Sequence, residues 1–275
     1  MRMPITGGGR SGADWGRNAA CALLLLLSLA GCATQQQPAA ADMVVTPSDE
    51  PENRRRARIR LELASNYYAE GKVEVALDEL KQVIAADPSF ADAYNLRGLI
   101  YMRLADNRQA EESFRRALQL NGRDSDAHHN YAWLQCQLGR HQDAFRSFEQ
   151  ALVNPLYGGR AKTLMALGVC QARAGLRAEA ERSLSRSYEL DAGNPVTGYS
   201  LAQLLYQRGD YARAQFYIRR LNNSELANAE SLWLGVKVEQ RMNDTLAMEQ
   251  LGDQLRKRFP QSRERTSLDR RAFDE

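Results

Sequence analysis

Small and apolar residues return along this chain at a fixed interval. From Asp126 to Ala151 (DAHHNYAWLQCQLGRHQDAFRSFEQA) the apolar positions follow helical spacing, break at Leu138-Gly139, and resume through Ala144, Phe148 and Ala151. Such a pattern predicts two short amphipathic helices back to back. The small residue in the middle of the first helix recurs as Ala64, Gly98, Ala132, Gly168, Ala202 and Gly235, at steps of 34, 34, 36, 34 and 33. The alanine of the second helix recurs as Ala76, Ala110, Ala144, Ala180, Ala214 and Ala247 with the same steps, and so do the turn positions Gly71, Ala105, Gly139, Gly175, Gly209 and Met242. An unrelated helical bundle does not hold three positions in one register six times.

A period of 34 residues with small residues at these sites is the tetratricopeptide signature. The pattern predicts an all-α fold, a right-handed solenoid of six tetratricopeptide units over residues 57–260, with unit starts near 57, 91, 125, 161, 195 and 228. Backbones approach closely at Gly or Ala, and Tyr67, Tyr101, Phe114, Phe148, Leu184 and Ile218 fill the neighbouring holes. Glycine at the turn supplies the positive φ that ends a helix. Pro88, Pro155, Pro195 and Pro260 fall near unit ends, where proline stops a helix. No unit buries its apolar face alone, so stability comes from stacking. Residues 261–275 read as a charged C-terminal tail.

The residues ahead of the repeats are of another kind. Residues 1–31 carry Arg2, Arg10 and Arg17, then an apolar run from Ala19 to Ala30 that is too short to span a bilayer as a helix. A basic start, a short apolar core and then small residues make a secretory signal peptide. It ends in Leu29-Ala30-Gly31-Cys32, which resembles the lipobox of bacterial lipoproteins. The resemblance implies cleavage before Cys32 and acylation of that residue, a firm anchor when several chains are attached. Ala33 rather than Asp after the cysteine implies, by the family's sorting rule, the outer membrane on its periplasmic side. Residues 32–56 read as the acylated cysteine and a flexible tether, polar and proline-containing, with a reach of about 25 Å. Arg54, Arg55, Arg56 and Arg58 form either a solvated first helical turn or a contact for anionic lipid or an acidic partner.

The whole sequence of 275 residues carries a net charge of +3, and removing residues 1–31 leaves 34 basic against 33 acidic residues. That near-neutral balance offers no field for nucleic acid. Of four cysteines, Cys21 leaves with the signal and Cys32 takes lipid. Cys136 and Cys170 lie on the first helices of adjacent units, so either they bridge those units or they are two buried thiols acting as small apolar fillers. The three histidines are His128, His129 and His141; the adjacent pair point about 100° apart on a helix and cannot share a metal from one face. No Gly-rich phosphate loop and no Gly-x-Ser-x-Gly elbow is present. The expectation is therefore a non-enzymatic protein without cofactor, metal or small-molecule substrate.

Positions 2, 5, 9 and 12 of each unit should face the inner side of the stack. They are Arg58, Leu61, Ser65 and Tyr68 in unit one, Asp92, Asn95, Leu99 and Met102 in unit two, and Asp126, His129, Trp133 and Cys136 in unit three. Units five and six add Tyr199, Tyr206 and Leu232. Leu61, Tyr68, Leu99, Met102 and Trp133 make an apolar stripe expected to bind a peptide or helix. The Lys, Arg and Asn pattern of a carboxylate clamp for chaperone C-termini is missing from positions 5 and 9.

Beyond the repeat, the segment NYAWLQCQLGRHQDAFRSFEQALVNPLYGGRAKTLMALGVCQARAG resembles the central repeats of the type IV pilus biogenesis/stability lipoproteins, the PilF/PilW pilotin family. Asn130-Tyr131, Cys136, Asn154 to Tyr157 and Gly168-x-Cys170 carry that likeness, and AESLWLGVKVE from Ala229 to Glu239 resembles the family's last repeat. The leader ahead of the apolar run is longer than in the family, and the segment after Gln261 does not align with it. The resemblance implies a lipoprotein that binds subunits of the outer-membrane secretin and promotes their localisation and assembly. It also implies a link between Cys136 and Cys170. The alternative is a periplasmic tetratricopeptide scaffold for another cell-envelope assembly machine.

Overall fold

The computed structural model describes residues 50–273. The leader, Cys32 and most of the expected tether lie outside them. The described residues form thirteen helices and no strand: α1 Glu52–Ala69, α2 Val73–Ala86, α3 Ala91–Arg103, α4 Asn107–Leu120, α5 Ser125–Gln137, α6 His141–Leu152, α7 Arg160–Arg173, α8 Arg177–Leu190, α9 Pro195–Arg208, α10 Tyr211–Asn222, α11 Ala229–Arg241, α12 Thr245–Arg258 and α13 Arg263–Asp269. Consecutive helices pair as α1–α2, α3–α4, α5–α6, α7–α8, α9–α10 and α11–α12, and each pair packs on the next. First helices of adjacent pairs approach each other at the backbone, whereas second helices of adjacent pairs meet only through side chains, as Tyr188 does with Tyr217 and Glu181 with Arg213. The first helices therefore line the inner side of the stack.

Local chemistry explains where the helices begin and end. The side chains of Asp106, Asp124, Asn194, Asp210, Asn228 and Asp244 each accept a hydrogen bond from free backbone N–H groups of the turn that follows, the usual satisfaction of a helix start. Pro195 opens α9, where its missing N–H costs nothing. Gly71, Gly139, Gly175 and Gly209 adopt positive φ at the turns, and Ala105 does so at 57°. In the sixth unit the left-handed residue is Asn243, not Met242 as the register predicts. Asparagine adopts this backbone more readily than a long side chain does, so the last turn comes one residue late.

Each pair is held where a small residue faces a large one. A Cβ placed on Gly98 would lie 2.5 Å from the ring of Phe114, and one on Gly168 would lie 2.6 Å from Leu184. Phe114, Phe148, Leu184 and Ile218 are fully buried, each contributing roughly 1.5–3 kcal/mol of transfer free energy. Tyr67 and Tyr101 are only half-buried and pack at the edge of the core.

Both ends differ from the sequence reading. The first helix starts at Glu52 and so takes in residues 52–56 that were expected to belong to the tether. Pro51 precedes it, Glu52 sits in its first turn, and Arg55 donates its backbone N–H to the Pro51 carbonyl at 3.0 Å. The arginine run is engaged within this unit. Arg54 pairs with Asp87 and lies 3.9 Å above the Phe90 ring, Arg56 pairs with Glu52, and Arg58 pairs with Glu62. Residues after Pro260 are not simply a charged tail. They form α13, which buries Leu268 against α11 and α12, and Phe273 stacks on Trp233 at 5.6 Å. The last pair of a solenoid has an apolar side with no further unit to cover it, and Leu268 and Phe273 cover it here. Leu232, expected on the inner face, is fully buried in this same cluster.

Replacing Gly98 with alanine should destabilise the protein by about 1–3 kcal/mol, because the Phe114 ring is confined on all sides. Adding Phe114→Leu to that variant should recover part of the loss, which urea unfolding of the single and double variants will measure.

Candidate protein-binding groove

Four first helices, α3, α5, α7 and the start of α9, frame a cavity of ≈ 460 Å³. Leu99 and Met102 come from α3, Trp133 from α5, Met165 and Val169 from α7, and Val196 from α9. These positions stand on the inner side because they recur at the spacing that keeps one face of each helix toward the neighbouring first helix. Lys162 and Arg173 are the charged residues at its edge, and no carboxylate lines it. The Arg173 guanidinium lies 5.2 Å from the Trp133 ring centroid, a cation–π contact that orients the indole.

His129 forms part of the wall. Its Nδ1 is 2.9 Å from the Thr163 hydroxyl of the next first helix, and its ring meets the edge of Phe148 at 5.8 Å. Burial, reinforced by the Lys162 ammonium, pushes its pKa down to about 4, against a smaller opposing pull from Asp126. The imidazole is therefore neutral at physiological pH. Asn130 donates to Asn95 at 3.0 Å, a second polar tie between adjacent first helices.

Cys136 and Cys170 form a disulfide between α5 and α7, with Cα atoms 5.9 Å apart. It is buried next to the groove walls: Cys136 is one turn beyond Trp133 on α5, and Cys170 follows Val169 on α7. The bridge locks together the two helices that carry the centre of the apolar surface.

The structure brings together only part of the expected stripe. Leu99, Met102 and Trp133 line one cavity, but Leu61 and Tyr68 do not reach it. Both are half-buried against the apolar cluster shared by the first two units, and Arg103 lies over the Tyr68 ring at 5.6 Å. Met165 and Val169 were missed, although positions 5 and 9 of unit four, counted like those of the other units, are these two residues. A second depression of ≈ 480 Å³ lies farther along the inner face, around Tyr199, Tyr206, Trp233 and Lys237, with Glu230 and Glu264 at its edge. Burial holds the Lys237 ammonium below the ordinary lysine pKa. A larger hollow of ≈ 750 Å³ around Arg97, Arg108, Glu111, Arg115 and Arg116 has a charged lining, and Glu111 there is already bound bidentately by Arg140 at 2.8 and 2.9 Å. It lacks the apolar floor of the groove.

Family models for the tetratricopeptide repeat match residues 64–104 and 97–161. The type IV pilus assembly protein PilF of Pseudomonas aeruginosa is 27% identical over 249 residues, covering 90% of this chain and 95% of that protein. The chain carries tetratricopeptide repeats and is similar to PilF along most of its length. The crystal structure of PilW, described as a widely conserved type IV pilus biogenesis factor, superposes with a TM-score of 0.71 at 28% identity, over 77% of this chain and 97% of that one. The structure of Pseudomonas aeruginosa PilF superposes at 0.74 with 24% identity, over 80% and 100% of the two chains. An uncharacterized Haemophilus influenzae protein is 23% identical over 135 residues, 49% of this chain and 75% of that protein.

Two measurements follow from this geometry. Replacing both Cys136 and Cys170 with serine opens a loop of 34 residues and should lower the unfolding free energy by about 3–4 kcal/mol, read from urea denaturation without reductant. Between pH 6.5 and about 4 the unfolded chain protonates the His129 imidazole while the folded chain does not. Stability should therefore fall by about 3 kcal/mol as pH drops through that window, and this contribution should level off below it. His129→Asn, which keeps a polar atom facing Thr163 but does not titrate, should lose that part of the pH dependence.

Proposed function

We propose that this protein is a pilotin of type IV pilus biogenesis: it binds secretin subunits through the groove on α3, α5 and α7 and promotes their assembly at the outer membrane. One observation carries this reading: an apolar groove formed by Leu99, Met102, Trp133, Met165 and Val169 on the inner face, in a chain similar to PilF and PilW over most of its length. Exposed apolar surface of this shape is the usual seat of an amphipathic segment from a partner. The tetratricopeptide scaffold supplies rigidity, so the partner meets a preformed surface and little ordering entropy opposes binding.

Acylation of Cys32 would hold the repeats on the periplasmic side of the outer membrane. Confinement there raises the effective concentration of captured subunits and favours their meeting over diffusion through the periplasm. The work is done by binding and tethering, with no covalent step on the partner. Trp133 is the residue expected to dominate, since a large aromatic ring at the middle of a groove contributes most to such interfaces.

Pull-down of detergent-solubilised secretin by the wild-type protein should succeed. Leu99→Glu and Trp133→Glu should each weaken capture by at least about thirtyfold, a loss of ~2 kcal/mol, while far-UV circular dichroism stays unchanged. Equal recovery by folded variants would remove the groove from the reading. Cys32→Ser should move the protein out of the outer-membrane fraction.

A further inference from the structure

Next to the groove walls, a histidine faces the disulfide. His141 opens α6, and its Nδ1 lies 3.7 Å from the Sγ of Cys170. The ligand atoms of Cys136, His141 and Cys170 all fall within 4.8 Å of one another. The rings of His141 and Phe145 lie near-parallel, with centroids 6.5 Å apart. Cys136 and Cys170 are buried, at 2% and 0% exposure, while His141 is half-buried.

We propose that in its dithiol form this protein binds one thiophilic divalent cation, of the zinc class, through the thiolates of Cys136 and Cys170 and the Nδ1 of His141. A tetrahedral zinc with sulfur at about 2.3 Å and nitrogen at about 2.0–2.1 Å sets neighbouring ligand atoms roughly 3.5–3.8 Å apart. The spacing between His141 and Cys170 already has that value. Side-chain rotation can separate the two sulfurs to the same distance, because their Cα atoms stand 5.9 Å apart on two adjacent helices. Two soft thiolates and an imidazole select zinc-like ions over calcium or magnesium, and three protein ligands leave one position for water.

The chemistry balances with a dithiol reductant. The reductant gives two electrons and two protons to the Cys136–Cys170 bond and itself becomes a disulfide. The cation then displaces one proton from each new thiol and takes the lone pair of the neutral imidazole. A disulfide oxidant reverses the exchange: it takes two electrons from the thiolates and two protons from water to become a dithiol, the Cys136–Cys170 bond re-forms, and the ion, having lost both sulfur ligands, leaves. In either state α5 and α7 remain clamped at the same point, so units three and four stay docked whether or not the bridge has formed. The proposal does not depend on the secretin reading.

The test uses the full chain carrying Cys21→Ser and Cys32→Ser, so that Cys136 and Cys170 are its only sulfhydryl groups. It is reduced with a phosphine, freed of reductant without air, and titrated with cobalt(II) and then zinc. The reduced protein should bind one cobalt ion per chain with sulfur-to-cobalt charge-transfer absorption, and zinc should displace it. The oxidised protein should show no such band. His141→Ala leaves the disulfide intact in the oxidised state and should weaken cobalt binding of the reduced state by about tenfold or more. A reduced chain with no band overturns the proposal, as does an undiminished band in His141→Ala. Far-UV circular dichroism accompanies the titration, and a reduced chain that is unfolded and stays unfolded when zinc is added overturns it as well.

Discussion

Every unit of this protein depends on two helices coming close enough for the backbone of one to lie against a large side chain of the other. Gly98 admits the Phe114 ring, and Gly168 admits Leu184, at distances where a β-carbon would not fit. Where alanine takes the small position, as at Ala132 against Phe148, the same burial is reached with a slightly different fit. Interiors are packed as tightly as organic crystals, so the pair geometry follows from these contacts, and the pair geometry in turn sets how each unit meets the next. Turn chemistry serves the same end: a residue at positive φ reverses the chain in few enough residues for the second helix to return directly over the first.

Stacking then produces the surface on which function depends. Because first helices touch their counterparts in neighbouring units, side chains at repeated positions converge on one side. Three of these helices bring together Leu99, Met102, Trp133, Met165 and Val169, which are far apart in the chain. The polar ties between His129 and Thr163 and between Asn130 and Asn95, and the disulfide, fix the spacing of the helices that form the groove walls. A binding surface assembled from rigid elements loses little freedom when a partner docks.

The two ends of the stack meet a different constraint. A repeat array buries each unit against its neighbours, and its terminal units have one neighbour too few. At the start, Arg54 lies over Phe90 and pairs with Asp87, covering an apolar edge with a charged group that stays partly in water. At the far end Leu268 and Phe273 cover the apolar face of α11 and α12. Charged residues that look like a solvated tail in the sequence thus hold the outer side of a small capping helix, where Arg265 pairs with Asp269 at 2.9 Å.

Period alone determined much of this protein: the six helix pairs, their starts to within a few residues, the small-against-large contacts and the face on which Leu99, Met102 and Trp133 stand. Those features are local or repeat at fixed intervals, so a linear reading captures them. Only the tertiary structure decided which members of the stripe share one cavity. Leu61 and Tyr68 obey the same periodicity, but their side chains pack on the apolar cluster that α1, α2 and α3 share, and Arg103 lies over the Tyr68 ring. Asn243 in place of Met242 at the last turn reflects the energy of a left-handed backbone, to which the hydrophobic pattern is blind. His141 beside Cys136 and Cys170 was likewise invisible, because those residues come from three helices and meet only when units three and four are docked. Contacts of that kind depend on distances across helices, and no spacing along the chain encodes them.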